Sequence, residues 1–220
     1  GEGYHFAKNM GHTITETTPA LTPITVSDTA DALTPGKKIF PGFSGITIKN
    51  ASASLYRENR KLTEYNGDLL FTHNGLSGPV ILDMSRYILP GDTVAISFIQ
   101  DTYESFEEKF IAHSRINGKR SIKNLLQSYS ISERIVQMIL DVSAIPHDKK
   151  SSEISRIERK RLISLVTGFP FRVTSRGDFT IAMATRGGVS LEEINQRTME
   201  SKIIPGLFFA GEVMDIDGDT

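Results

Sequence analysis

The sequence predicts an α+β protein: an antiparallel, barrel-like β domain with a helical subdomain set into it. Three observations lead there. Short runs of partly alternating polarity, divided by turn residues, fill much of the chain before Ile99, as at Ala53-Ser54-Leu55-Tyr56 and Lys61-Leu62-Thr63-Glu64-Tyr65. From Ser105 to Gly168 apolar residues recur at helical spacing instead. From Phe169 to Gly188 the strand pattern returns.

Taken in order, Glu2 to Met10 reads as a helix stopped by Gly11, with His12 at its exit in a capping or packing role. Strands are expected at Ile24-Thr25-Val26, at Gly45 to Ile48, at the two runs above and, after a Pro90-Gly91 turn, from Asp92 to Ile99. Pro35-Gly36, Pro41-Gly42, Glu58-Asn59 and Asn66-Gly67 supply the turns between them. Leu69 to Thr72 is a further strand, His73-Asn74-Gly75 a turn, and Ser77 or Gly78 the cap of a helix with Pro79 at its first position. In the helical part, Phe106, Phe110 and Ile111 form one stripe and Ile122, Leu125 and Leu126 another. Ser130 and Glu133 read as a capping box for a helix carrying Ile135, Val136, Ile139 and Leu140. A last helix over Ser152 to Val166 buries Ile154, Ile157, Leu162 and Leu165, with Arg156, Arg159, Lys160 and Arg161 outward. Strands at Phe171 to Thr174 and Phe179 to Thr185 flank Arg176-Gly177-Asp178 as a hairpin, and Ser190 caps a short turn at Leu191 to Ile194. Leu207 to Ala210, entered through Pro205-Gly206, reads as a buried strand of a parallel sheet.

The 220 residues contain no cysteine, which excludes disulfides, thiolate metal sites and thiol catalysis and suits a cytoplasmic protein. No apolar run reaches membrane-spanning length, so no membrane partner is expected. The five histidines show no metal-ligand spacing. The formal net charge of −1 is unevenly spread: Ser105 to Leu165 holds 12 Lys/Arg against 7 Asp/Glu, and the remainder 13 against 19. Such asymmetry marks either a polyanion-facing subdomain or solvated helix faces.

Two stretches carry chemistry. His73 and Ser77 fall at the lip of a helix N-terminus, a place that suits an anionic or electron-rich ligand, although a turn histidine satisfied by backbone is the competing reading. At Leu207 to Gly218 an apolar run ends in Gly211-Glu212 and a cluster of acids at Asp215, Asp217 and Asp219 around Gly218. A glycine there admits close approach of a ligand, and an acid beside it accepts hydrogen bonds from sugar hydroxyls. The diglycine Gly187-Gly188 likewise permits close backbone approach as the chain leaves a strand.

The wording GLFFAGEVMDIDG, with Thr72 to Pro79, Gly11-His12, Pro19-Ala20-Leu21-Thr22-Pro23 and the run from Thr185 to Glu212, resembles the aminoacetone-oxidase-like family of NAD(P)/FAD-dependent oxidoreductases. The resemblance spans nearly the whole chain and is loosest in the helices. It implies partial segments of a two-dinucleotide-fold FAD domain at 1–21 and 190–220, a barrel-like domain at 22–104 and 169–189, and a helical subdomain at 105–168. The G-x-G-x-x-G loop for the ADP pyrophosphate is not in this sequence. The chain therefore reads as an excised inserted-domain segment, inactive by itself, whose partners include the missing FAD-domain segments.

The resemblance implies hydride transfer through FAD, with NAD(P)H as a possible reductant. His73 and Ser77 are the catalytic candidates, and Asn74, Gly75, Arg186, Gly187 and Gly188 would lie on the substrate side. Gly211, Glu212, Asp217 and Gly218 would lie on the cofactor side. A small-molecule substrate is expected first and RNA second, with the basic helices gripping phosphate. A non-catalytic binding module is the third reading.

Overall fold

The computed structural model describes residues 1–27 and 43–218. The expected turns at Pro35-Gly36 and Pro41-Gly42, and Asp219, lie outside the described residues. The strands among the described residues are β1 (Thr18–Ala20), β2 (Ile24–Val26), β3 (Thr47–Arg57), β4 (Arg60–Phe71), β5 (Gly75–Ser77), β6 (Thr93–Ser97), β7 (Phe169–Arg176) and β8 (Ala184–Arg186). Six of them close an antiparallel barrel in the order β2-β5-β4-β3-β6-β7, while β1 and β8 pair as a separate ribbon.

The short runs of the sequence merge into two long strands. β3 and β4 meet at a two-residue turn in which Glu58 and Asn59 both take positive φ, 49° and 65°, as a primed hairpin turn requires. Asn66-Gly67, expected as a turn, lies inside β4 with Gly67 opposite Ala51. A Cβ at Gly67 would come within 3.3 Å of the Val80 amide, so this glycine serves the close crossing of a helix over the sheet. That helix is α2 (Pro79–Met84), reached through Gly78 at φ 90° in the cap position; Ser77 belongs to β5. Asp92, before β6, fastens one rim. Burial pushes its carboxyl up, but two hydrogen bonds from Arg57 at 2.8 Å and one from the Leu89 amide outweigh that and hold it below the usual range.

The hairpin expected around Gly177 is absent. β7 already has β6 on one edge and β2 on the other, which leaves no edge for residues 179–185. Asp178 to Ala182 instead forms a turn, and β8 pairs with β1.

The helical insertion leaves at β6 and returns at β7, which are paired neighbours, with Ile96 opposite Phe169. It holds α3 (Tyr103–Ile116), α4 (Ile122–Gln127), α5 (Glu133–Ser143) and α6 (Arg156–Thr167). Phe106, Phe110, Ile122, Leu125, Leu126, Ile139 and Leu162 are fully buried and continuous with the barrel interior. Ser130 is not the cap of α5; it takes φ 64° and Ser132 holds the cap position. α6 begins four residues later than expected, at a complete capping box of Ser155 and Glu158. Ile157, expected in the core, is 82% exposed. At 3.6 residues per turn it sits about 140° round the helix from Leu162.

The remaining chain forms a small second cluster. α1 (Glu2–Asn9) buries Ala7 against Val189, Ile194, Phe209 and Met214. Leu207 to Ala210 is not a buried parallel strand here: apart from a local bond from the Leu207 amide to the Ile204 carbonyl, its backbone meets 199–201 through one antiparallel bridge at Phe208, and Phe208 is 60% exposed. Among the described residues no helix is long and apolar enough to cross a membrane.

Candidate functional site

The short 3₁₀ turn Ser85–Tyr87, which ends α2, gathers three arginines. Arg176, at the end of β7, donates to the Ser85 carbonyl at 3.3 Å, and Arg186, at the end of β8, donates to the Arg86 carbonyl at 3.2 Å. The Arg186 guanidinium also lies over the Tyr87 ring, 5.4 Å from its centre. Burial and the nearby charge of Arg186 both push the Arg176 guanidinium below its ordinary value. Arg86 reaches the other way: Nη1 lies 2.8 Å from Asp217 Oδ2, and Nη2 donates to the Gly218 carbonyl at 2.5 Å. The turn is itself anchored by Ser85 Oγ, which donates to the Leu82 carbonyl and accepts from the Thr22 amide.

Two of the stretches singled out in the sequence meet beside this turn. Val189 and Met214 form a parallel bridge, which lays Gly211 to Gly218 along Gly187 to Val189. The diglycine's open conformations serve this packing. At φ 93° and 145°, a Cβ on Gly187 would strike the Glu16 carbonyl and one on Gly188 the Val213 carbonyl, at 2.2 and 2.6 Å. Glu212 is exposed on a 3₁₀ turn, and its backbone carbonyl accepts from the Tyr4 hydroxyl. Its carboxylate makes no hydrogen bond or ion pair among the described residues. Among the described residues nothing lies within 4 Å of where a Cβ on Gly211 would sit, at φ 76°.

His73 and Asn74 are not brought into this group. Both are exposed at the opposite end of β5, where the Asn74 carbonyl accepts from the Val26 amide. Val26 pairs with Val173, three residues along β7 from Arg176, or about 10 Å at the rise of a strand. Gly75 is buried at the β2–β5 seam, and Ser77 is half-buried in β5 opposite Leu70. Arg86, Tyr87 and Arg176 were not identifiable as site residues from the sequence; a Ser-Arg-Tyr tripeptide at a helix end carries no motif.

A second polar constellation has the outline of a catalytic triad and the wiring of a brace. Buried His12 bonds Glu193 through Nδ1 and Ser201 Oγ through Nε2, both at 2.9 Å, and meets the Phe209 ring edge-on. Ser201 Oγ, however, is buried and already accepts from the amides of Ile203 and Ile204. Its lone pairs are occupied, so the chain ties α1 to residues 193–209 and offers no nucleophile. Hydrogen bonds from Thr13, then the contact with His12, hold the Glu193 carboxyl below its usual range.

Two open grooves, of about 450 and 490 Å³, run along the seam between barrel and helices and contain none of the residues discussed so far as site candidates. Among the described residues no cluster of His, Asp and Glu could hold a metal ion.

Residues 18–184 match the family described as HI0933-like protein barrel and H2TH domain. The chain belongs to the HI0933-like family. It is also 33% identical over 98% of its length to the ribosomal RNA dihydrouridine synthase of Escherichia coli, strain K12, covering 50% of that protein. It is 28% identical over 98% of its length to the Haemophilus influenzae protein of the same name, again covering 50% of it. The 3-dehydro-bile acid delta(4,6)-reductase of Clostridium scindens is 26% identical over 99% of the chain, which covers 52% of that relative. This HI0933-like chain thus spans about half the length of the curated relatives it matches. The barrel and helices lie within the family match, and α1 and the segment around Glu212 lie outside it, while the match to the relatives extends over 98% or more of the chain.

Among the described residues Glu212 has a carboxylate without a partner and Gly211 an open backbone, features that would suit one edge of a flavin, whereas Asp217 is turned onto Arg86.

Proposed function

We propose that this chain is the substrate-side half of a flavin-dependent reductase that saturates a conjugated carbon–carbon double bond in RNA. What carries the reading is the match, over nearly the whole chain, to two ribosomal RNA dihydrouridine synthases. Forming dihydrouridine from uridine removes one C=C bond and makes two C–H bonds, from one hydride and one proton. Bound FAD would supply the hydride, with NAD(P)H as the ultimate reductant, oxidised to NAD(P)⁺. Glu212 and Gly211 would line the cofactor, with Asp217 and Gly218 held behind them by Arg86.

The chain's own part is electrostatic. Hydride addition to a conjugated carbonyl places negative charge on the carbonyl oxygen. Arg186 spends one N–H on the Arg86 carbonyl, stacks on Tyr87, and keeps further donors for that oxygen. Exposed His73 lies at the other end of β5, with Ser77 between, too far from Arg186 to protonate the same ring, and would instead meet a flanking part of an extended substrate. Asn74, Gly187 and Gly188 shape the wall between these points.

A second reading, a small conjugated ketone as substrate, is favoured by the similarity to the bile acid reductase. One experiment separates the two. The full-length protein is loaded with FAD, reduced anaerobically with NAD(P)H, and mixed with unmodified ribosomal RNA or with a steroid dienone. Flavin reoxidation with RNA, and a mass gain of one H₂ on a uridine, is the expected result. Reoxidation by the dienone alone supports the small-molecule reading, and absence of bound flavin overturns both.

A further inference from the structure

We propose that the end of the helical subdomain formed by the α3–α4 turn and the α5–α6 linker is a platform for the phosphate backbone of a structured RNA. This rests on the RNA reading above and says where the polyanion lies.

Pairing sorts the basic residues of the subdomain. Lys109, Lys123, Lys149 and Arg159 are held by Asp101, Glu133, Glu158 and Glu107. Arg161 donates to the Val142 carbonyl. Arg115, Lys119, Arg120, Arg156 and Lys160 are exposed and have no carboxylate partner among the described residues. Lys150 meets Glu153 only at 3.9 Å with both side chains more than half exposed, a contact worth little.

The unpaired cations are gathered by the backbone. The Ser152 amide donates to the Gly118 carbonyl, Ser151 to Arg120 and Ile122 to Lys149, while Ser151 Oγ donates to the Asn117 carbonyl. These bonds zip the turn bearing Lys119 and Arg120 to the linker bearing Lys150. Arg115 closes α3 just before the turn; Arg156 opens α6 just after the linker, with Lys160 one helical turn on, on the same face. Glu158, the acid nearest this end of α6, is turned away onto Lys149 and the Ser155 amide. A rigid cluster of cations on a chain of net charge −1 makes a local positive field, the footprint of a polyanion site.

Ile116 and Ile157, 79% and 82% exposed, stand among these cations and give the surface apolar contact points for sugar edges. An anionic membrane fits less well. The apolar faces of α3 and α6 are spent on the core, and the surface carries no aromatic residue to insert. The same lack of aromatics argues for backbone contact rather than stacking on bases.

The test uses the full-length protein, a fluorescent RNA stem-loop, and salt between about 50 and 200 mM. About five phosphate contacts predict a log–log salt slope of about −3.5 to −4.5. Replacing Lys119, Arg120, Arg156 and Lys160 by Gln should weaken binding at least about tenfold and flatten the slope by about one per residue. Arg60→Gln, at the distant β3–β4 hairpin, should change neither. If the fourfold variant melts below the wild type, Lys119→Gln and Lys160→Gln are measured singly, each expected to remove about one from the slope. Wild-type binding that the variants leave unchanged overturns the platform and spares the RNA reading. Wild-type protein that binds no RNA but reduces the dienone overturns both. Tighter binding to phosphatidylserine vesicles than to RNA, lost in the variant, replaces RNA with a membrane.

Discussion

Gly75 shows how much one residue type can hold. It lies at the seam where β5 meets β2, and a Cβ there would sit 1.9 Å from the Ile24 carbonyl oxygen and 2.9 Å from the Thr25 Cα. Both are backbone atoms in a paired strand, so neither can yield without opening the barrel. Gly75→Ala should therefore cost about 3 kcal/mol or more. Gly218→Ala, which meets nothing within 4 Å, should stay within about 0.5 kcal/mol. Chemical denaturation of the two variants against the wild type checks this; equal midpoints would show that the seam adapts. Neither glycine differs from the other in the sequence. The Thr-His-Asn-Gly turn was legible at Gly75, but the collision was not, because its partner lies on a strand about fifty positions earlier. The arginines were illegible for the same reason: Arg86, Arg176 and Arg186 meet only because β8 leaves the barrel to pair with β1.

Among the elements, α6 depends on one carboxylate. Glu158 completes the capping box and takes both hydrogen bonds from Lys149, at 2.7 and 2.9 Å. The Lys149 hydrogen bonds, then those from Ser155, lower its carboxyl to about 2. A depressed acid stabilises the fold above its unfolded value, near about 4.3, and loses that contribution as pH falls toward the folded value. The side chain is partly exposed, so solvent screens the pair, and Glu158→Gln should cost about 0.5–1 kcal/mol at pH 6. Thermal melts at pH 6 and pH 3 should show the gap between variant and wild type narrowing at the lower pH. A gap that stays constant would mean that the charge contributes nothing. Elements with a local cause were readable in the sequence: the turn at Glu58-Asn59, Pro79 opening α2, and the stripe of Phe106 and Phe110. Elements decided by neighbours were not. Asn66-Gly67 has turn chemistry but is straightened by β3 on one side and by α2 above it. Phe179 to Thr185 has strand composition, but β7 has no free edge to offer.

At the scale of the whole molecule, the barrel and helices share one hydrophobic core, while Glu212 stands on the smaller cluster built around α1. A cofactor contact placed there can be removed without touching the main core. In the full-length protein, Glu212→Ala should lower bound flavin and leave the melt of the apoprotein unchanged, because charge-assisted hydrogen bonds to a ligand are worth about 1.5–3 kcal/mol. Equal flavin content in mutant and wild type, read from absorbance after release, would count against Glu212 as a cofactor contact. The placement of the helices has a separate consequence. They depart after Ser97 and return at Phe169, on adjacent strands whose residues Ile96 and Phe169 face each other, with Phe98 and Val166 joined by a backbone hydrogen bond just beyond. The strands on either side of the gap are already in register without anything between them. The joint thus fixes where a helical cassette could be exchanged between relatives, provided the core it shares with the barrel is exchanged with it, and on the proposed phosphate platform the salt-dependent affinity for RNA is expected to move with the cassette.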